Sequence, residues 1–354
     1  MRRGRSLALA CQTVGGAEVT ALFDPDADRL QASAAEIGAT PYTDFDAFLA
    51  SGIDVAIISS PMPVHAEQSI AALRAGKHVL CEVLACVTVD EARELVAVAK
   101  ESPGRYMLAE NVNFYDEIEL IKRLADQGRF GHIYYGEGDY THSLQGLFFH
   151  PDGSPTWRGL GGLTVYGSHG LGPLLYITSD RVAQVRATSL PGAIVDPKLT
   201  IPTMHLLDMT TDAGRVFRTR VDPVSYRPHE STSFFVVQGT HASYESIRGF
   251  GDRGKIWFRD QDEPVWFDKA GKWHGTDELI PHELPDRQNA PAIPGGHGTS
   301  EYWLLRSFFD ALRTGADMPI DLHRGLDITL PCILAFESAA RGSIPLDVPN
   351  SRDW

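Results

Sequence analysis

No two of the four cysteines, Cys11, Cys81, Cys86 and Cys332, stand in a Cys-x-x-Cys spacing. That excludes a disulfide-stapled scaffold and the common zinc ribbons, and it predicts reduced thiols in a cytoplasmic chain. No two histidines lie four residues apart, so no helical metal pair is expected either. No apolar run approaches the roughly 20 residues that cross a bilayer. The opening MRRGRSLALACQTVGG is basic and then mildly apolar, but the apolar part is short for a secretion signal and an α/β pattern follows at once. Basic clusters are also lacking. Asp and Glu number 46 against 32 Lys and Arg, for a net charge of −14, so nucleic acid is not an expected partner.

What is present is an ordinary globular composition, 43% hydrophobic with 33 glycines, in 354 residues. That length predicts two domains, placed at 1–120 and 121–354. In the first, EVTALFD reads as a strand and PDADRLQASAAEIG as a helix stopped at Gly38. IDVAIISS is nearly all apolar, as a parallel strand covered on both faces is. PVHAEQSIAALRAG and TVDEARELVAVAKES are helical, the second with Ala92, Leu95, Val96 and Ala99 at helical spacing behind a Thr/Asp start. HVLCE and RYMLAEN are further strands. Strands alternating with helices predict a Rossmann-like, doubly wound parallel sheet. Beyond about Gly131 the runs IYYGEGDYTHS, VAQVRATSL, TMHLLDMTTDAG, VFRTRVD, STSFFVVQGTHASYES and KIWFRD predict an α+β domain with a mostly antiparallel sheet, followed by late helices. An antiparallel sheet with one face to cover favours a homo-oligomer, dimer or tetramer.

Ligands of open α/β sheets bind at the carboxyl ends of the strands. Asp24 ends one strand, where an acid holds ribose hydroxyls and repels a 2′-phosphate; this favours NAD over NADP, although Asp24 equally suits a helix cap. The loop SSPMPVH, with Ser59, Ser60, Pro61 and His65, either approaches a dinucleotide or is a Pro-rich turn. Glu82 and Asn111 end the next two strands. A dinucleotide fold opens with an apolar strand and G-x-G-x-x-G. Here only Gly4 and the helix after it are present, so the first strand of the sheet is missing from the pattern. The sequence therefore predicts a natural product that begins upstream, which intact-mass analysis of the native protein checks. In the second domain TWRGLGGLTVYGSHGLGP brings Trp157, Arg158, Tyr166, Ser168 and His169 among glycines. GDYTHS adds Tyr140 and His142, YRPHES adds Arg227 and His229, and PGGHGTSEYW adds His297 and Tyr302. An imidazole takes a hydroxyl proton near neutral pH, and Tyr or Arg orients a sugar hydroxyl. A single histidine would more often be structural; four such segments point to a pocket.

Through DVAIISSPMPVHAEQSIAALRAGKHVLCE, RLADQGRFGHIYYGEG and WRGLGG…SHGLGP the chain resembles the Gfo/Idh/MocA oxidoreductases over nearly its whole length. The resemblance implies Asp24 as ribose ligand, Ser60, Pro61, His65 and Glu82 along the cofactor, and His169 at the family's active-site histidine. There are two departures. Val83-Leu84 stand where the family has Lys-Pro, and Val165 stands where it has an aspartate four residues before the histidine. EGDYTHS, VYGSHGLGP, YRPHES…VQGTHASYES and GGHGTSEYW look closer to the branch that includes NAD-dependent α-N-acetylgalactosaminidases. The first expectation is an NAD-dependent oxidoreductase of a sugar or polyol, with His169, Tyr166 and Tyr140 as catalytic residues. His142, Trp157, Arg158, Arg227, His229 and His297 would then hold substrate. The alternatives are a glycosidase using transient sugar oxidation, and a non-catalytic sugar- or nucleotide-binding relative.

Overall fold

The computed structural model describes residues 2–161, 166–225, 232–259, 271–293 and 297–354. The chain divides into two compact units: Met1–Phe114 with Asn289–Leu326 and Asn350–Trp354, and Tyr115–Gln288 with Asp327–Pro349. The first division falls close to the expected residue 120. The late segment departs from expectation, because 289–326, with His297 and Tyr302, belongs to the first unit. The physical reason is the helix at Ser300–Thr314. Its buried face, Leu304, Leu305, Phe308 and Phe309, is packed against the chain's first helix.

In chain order the first unit has α1 (Arg2–Val14), β1 (Ala21–Phe23), α2 (Ala27–Ile37), β2 (Thr40–Tyr42), α3 (Phe45–Leu49), β3 (Val55–Ile58), α4 (His65–Arg74), β4 (His78–Cys81), α5 (Val89–Glu101) and β5 (Tyr106–Leu108). The helices start where side chains satisfy their orphan amides. Thr88 and Glu91 form a reciprocal capping box on α5, and Asp26 caps α2, which ends at Gly38 with φ 81°. All strand pairings here are parallel. They form two separate pieces, β1–β2 and β3–β4–β5. Among the described residues nothing pairs with the free edges of β1 and β3. Between the two pieces lies a cavity of about 440 Å³, lined mainly by apolar residues such as Leu7, Ala8, Leu22, Val55, Ile57 and Phe309.

The second unit has α6 (Asp116–Asp126), β6 (Ile133–Thr141), α7 (Trp157–Leu160), α8 (Ser168–Thr178), β7 (Val182–Pro191), β8 (Pro202–Thr211), β9 (Val216–Asp222), β10 (Ser233–Gly239), β11 (Ala242–Glu245), β12 (Lys255–Arg259), β13 (Gly271–Gly275) and α9 (Thr276–Glu283). The Ser300–Thr314 helix is α10, α11 (Leu322–Ala340) runs from one unit into the other, and β14 (Leu346–Asp347) closes the sheet edge. The nine strands are ordered β13-β12-β11-β10-β6-β9-β8-β7-β14. Among the described residues only β6–β9 is parallel; the other pairings are antiparallel, as the alternating runs predict.

One packing detail positions the site. α8 lies on β6 with Gly170 against Gly138, so closely that a Cβ on either would collide with the other's carbonyl oxygen. Gly170→Ala should therefore destabilise the protein by about 1–3 kcal/mol through overpacking. Gly146→Ala, with nothing within 4 Å of the added carbon, should stay within about 0.5 kcal/mol. Urea unfolding of both variants checks this, and equal effects would contradict it.

Candidate active site

The carboxyl ends of β3 and β4 lie side by side, since Ile58 pairs with Cys81. Against them stands the start of α1. A Cβ at Gly4 would sit 2.7 Å from Ser59 Oγ, so only a glycine allows this approach without displacing that hydroxyl. A helix start beside strand ends is the arrangement that receives a pyrophosphate. The residues present therefore fit a dinucleotide at this edge: Gly4 and Ser59 by close approach, Ser60 and Glu82 half-buried beside them, and Pro61 exposed. Asp24 follows β1. One of its carboxylate oxygens accepts from Asp26 N–H at 2.9 Å. The capping role that Asp24 might have taken belongs to Asp26, which accepts from Arg29 N–H at 3.1 Å.

Two of the expected cofactor residues have other work. His65 is 1% exposed, and its two ring nitrogens lie 2.8 Å from the carbonyl oxygens of Leu84 and Ser60. A carbonyl only accepts, so both nitrogens donate and the ring is an imidazolium. Burial opposes that charge, but the Cys81 sulfur and the two carbonyls outweigh it and raise the pKa from 6.5 to about 9. His65 thus ties the loop after β3 to the segment after β4 instead of contacting a ligand through its ring nitrogens. Asn111 is likewise 3% exposed, buried in a 3₁₀ turn packed against α10, and does not open onto the strand-end edge.

Val83 stands where the resemblance implies a lysine and is joined to Leu84 by a cis peptide; Glu82 is met instead by an arginine. Arg3 Nε donates to Glu82 at 2.7 Å and Arg3 Nη1 donates to Glu301 at 2.7 Å. Glu301 also accepts from His297 through the backbone N–H and through Nδ1, both at 2.6 Å. Its side chain is fully buried. Burial pushes its pKa up, yet hydrogen bonds from His297 and Arg3 and the Arg3 charge hold it at about 2. His297, expected among the substrate residues of the second domain, is therefore in the first unit and belongs to this cluster. Arg3 and Glu301 were not expected from the sequence. Arg3 stands next to Gly4, which could have flagged it; nothing local marks Glu301.

In the second unit, the Gly138–Gly170 contact sets His169 beside Tyr140. Their ring centroids are 4.9 Å apart. Tyr166 stacks on Tyr140 at 5.3 Å and 15°, with His169 6.1 Å from it. The ring centroid of His142 is 5.8 Å from that of Tyr140. Tyr140 and Tyr166 also pack against the buried cluster of Leu144, Phe148, Leu199 and Val224. Arg158 Nε donates to the Tyr166 hydroxyl at 2.7 Å, and its guanidinium lies 4.2 Å over the Trp157 ring. That bond occupies Tyr166 as an acceptor and leaves its own O–H to donate. Tyr140, His142, Trp157, Arg158, Tyr166 and His169 are all half-buried, so five of the six sit in one chain of ring and hydrogen-bond contacts, with Trp157 joined through Arg158. Arg227 and His229 lie outside the described residues.

Fold and site together define a two-unit α/β enzyme with an NAD-binding Rossmann domain. Residues 3–110 match the Gfo/Idh/MocA profile described as "Oxidoreductase family, NAD-binding Rossmann fold", and residues 203–352 match "Glycosyl hydrolase 109, C-terminal domain". The two matches divide the chain: its first stretch is similar to the NAD-binding domain of the Gfo/Idh/MocA oxidoreductases, and its later stretch to the C-terminal domain of glycosyl hydrolase 109. It is 27% identical to a glycosyl hydrolase family 109 protein of Saccharopolyspora erythraea, over 98% of this chain and 81% of that one. It is 28% identical to the α-N-acetylgalactosaminidase of Shewanella oneidensis, over 84% and 69%. Among solved structures, levoglucosan dehydrogenase with NADH and levoglucosan is similar at TM-score 0.81 and 20% identity, covering 98% of this chain and 96% of that one. The WlbA dehydrogenase of Bordetella pertussis gives 0.78 and 20%, covering 98% and 94%. At these identities the two structures speak for the fold alone.

The His65 tie is open to a pH test. Its folded-state pKa is raised from 6.5 to about 9. The stability it adds is thus complete below pH 6.5 and is lost as the pH rises through 9. Wild-type protein and His65→Gln should differ more in unfolding free energy at pH 6 than at pH 9.5. A difference independent of pH would show that the ring is neutral.

Proposed function

We propose that this chain cleaves a glycoside by transient oxidation of the sugar, with NAD reduced and reoxidised within each turnover. The observation that carries the reading is the Tyr140–Tyr166–His169 stack with Arg158 on the Tyr166 hydroxyl, set in a chain with a glycosyl hydrolase 109 C-terminal match. Relatives named as glycosyl hydrolase 109 proteins, one of them an α-N-acetylgalactosaminidase, support the same chemistry here and an N-acetylated hexosaminide as the first substrate to try. This reverses the order expected from the sequence, in which net sugar oxidation came first.

Gly4, Asp24, Ser59, Ser60, Pro61 and Glu82 are the residues assigned to NAD, and bound NAD supplies the acceptor, and later the donor, of the hydride. His169 takes the proton of the sugar hydroxyl as its carbon gives up a hydride and becomes a ketone. Tyr166, its acceptor capacity met by Arg158, donates to the substrate oxygen, and Tyr140 fixes the imidazole by ring contact. A ketone acidifies the neighbouring C–H, so a proton removed there expels the glycosidic oxygen from the next carbon by elimination. In this reading His142, expected to hold substrate and 5.8 Å from Tyr140, would take that second proton. Water then adds to the anomeric carbon, and return of the hydride and the protons restores the hydroxyl. Val83 takes no part: the acid/base work is done in the second unit, without the lysine.

The test uses the full chain with NAD, an aryl α-N-acetylgalactosaminide and a panel of free sugars. Release of sugar without net accumulation of NADH is expected. His169→Ala should retain NAD affinity and lose about 10²–10⁴-fold in turnover. Stoichiometric NADH from a free sugar, with no glycoside cleavage, would establish the dehydrogenase reading instead. An unimpaired His169→Ala enzyme would remove the assigned base.

A further inference from the structure

We infer that the Arg3–Glu82–Glu301 cluster makes this protein hold oxidised NAD more tightly than NADH. The inference rests on the assignment of Glu82 to the cofactor edge and adds to it a preference between the two redox states. In a doubly wound sheet, the two halves of the dinucleotide lie on opposite sides of the point where strand order reverses. Asp24, after β1, belongs to the ribose side. Glu82, after β4, belongs to the other half, which carries the nicotinamide.

The charges at that strand end do not cancel. Arg3 pairs with both Glu82 and Glu301, each at 2.7 Å, so one cation faces two carboxylates; the fourth member, His297, donates to Glu301 through its backbone N–H and Nδ1, away from Glu82. Neither Arg3 nor Glu301 gives up its charge near neutral pH. Glu301 is held at about 2 by its donors, against its burial, and Arg3, though burial opposes it, is pushed still higher by the two carboxylates. Glu82 keeps 13% of its side chain exposed, whereas Glu301 has none, so Glu82 is the carboxylate that a ligand at this edge can meet. The nicotinamide of NAD carries a positive charge and that of NADH does not. An uncompensated carboxylate beside the nicotinamide would favour the charged ring by roughly tenfold. Such a bias suits an enzyme that returns its cofactor to the oxidised form after every turnover.

Two substitutions move the balance in opposite directions. Glu82→Gln removes the negative excess, and Arg3→Gln doubles it. Dissociation constants for NAD and for NADH, measured by titration calorimetry at pH 8 without substrate, give the ratio of the two affinities. The ratio in favour of NAD should fall about tenfold in Glu82→Gln and rise in Arg3→Gln. A structural effect would weaken both forms of the cofactor equally and leave the ratio unchanged, which would overturn the inference. If neither affinity changes in either variant, Glu82 is not at the cofactor, and the assignment beneath the inference fails with it.

Discussion

The ring stack of the second unit depends on two backbones touching. Gly138 of β6 and Gly170 of α8 leave no room for a methyl group between them, and that approach brings the residue before Gly170 against the tyrosine two places after Gly138. His169 and Tyr140 are neighbours because a helix sits directly on a strand. A sheet and a helix are rigid elements, so the geometry of the ring stack is set by packing, without a loop having to hold it. Arg158 and Trp157 then reach the stack from a short separate helix, through one hydrogen bond and one cation–ring contact.

The first unit solves a different problem, that of holding strand-end loops and charges with no lysine after Glu82. The solution uses cations of two kinds. The buried His65 imidazolium ties two carbonyls across the ends of β3 and β4, and Arg3 spans two carboxylates at the start of α1. Neither cation serves as a proton carrier near neutral pH. His65 would have to give up one of two buried hydrogen bonds, and an arginine stays charged throughout. The strand-end edge is therefore built to hold its loops and charges in place.

Much of this was legible in the sequence because it is local. The helix of TVDEARELVAVAKES carries its own capping box, the apolar run of IDVAIISS betrays a strand covered on both faces, and SHGLGP marks a helix start among small residues. Among the described residues the parallel sheet is in two pieces with an apolar cavity between them. What could not be read was long-range. Glu301 meets Arg3 from almost 300 residues away, and no spacing rule relates the two. His297 looked like a second-domain residue because it follows that domain in the chain, yet the apolar face of α10 carries it to the first. His65 looked like a ligand residue because its loop is at a strand end; only the two carbonyls opposite its ring show that it is a tie.

The central claim is that the glycosidic bond leaves by elimination after oxidation, and the proton lost from the adjacent carbon reports on it most directly. Glycoside turned over in deuterium oxide, with the released sugar examined by proton NMR, should carry deuterium at the carbon next to the anomeric centre. Released sugar that keeps its original hydrogen at that carbon would mean direct hydrolysis, and would contradict a redox-assisted mechanism.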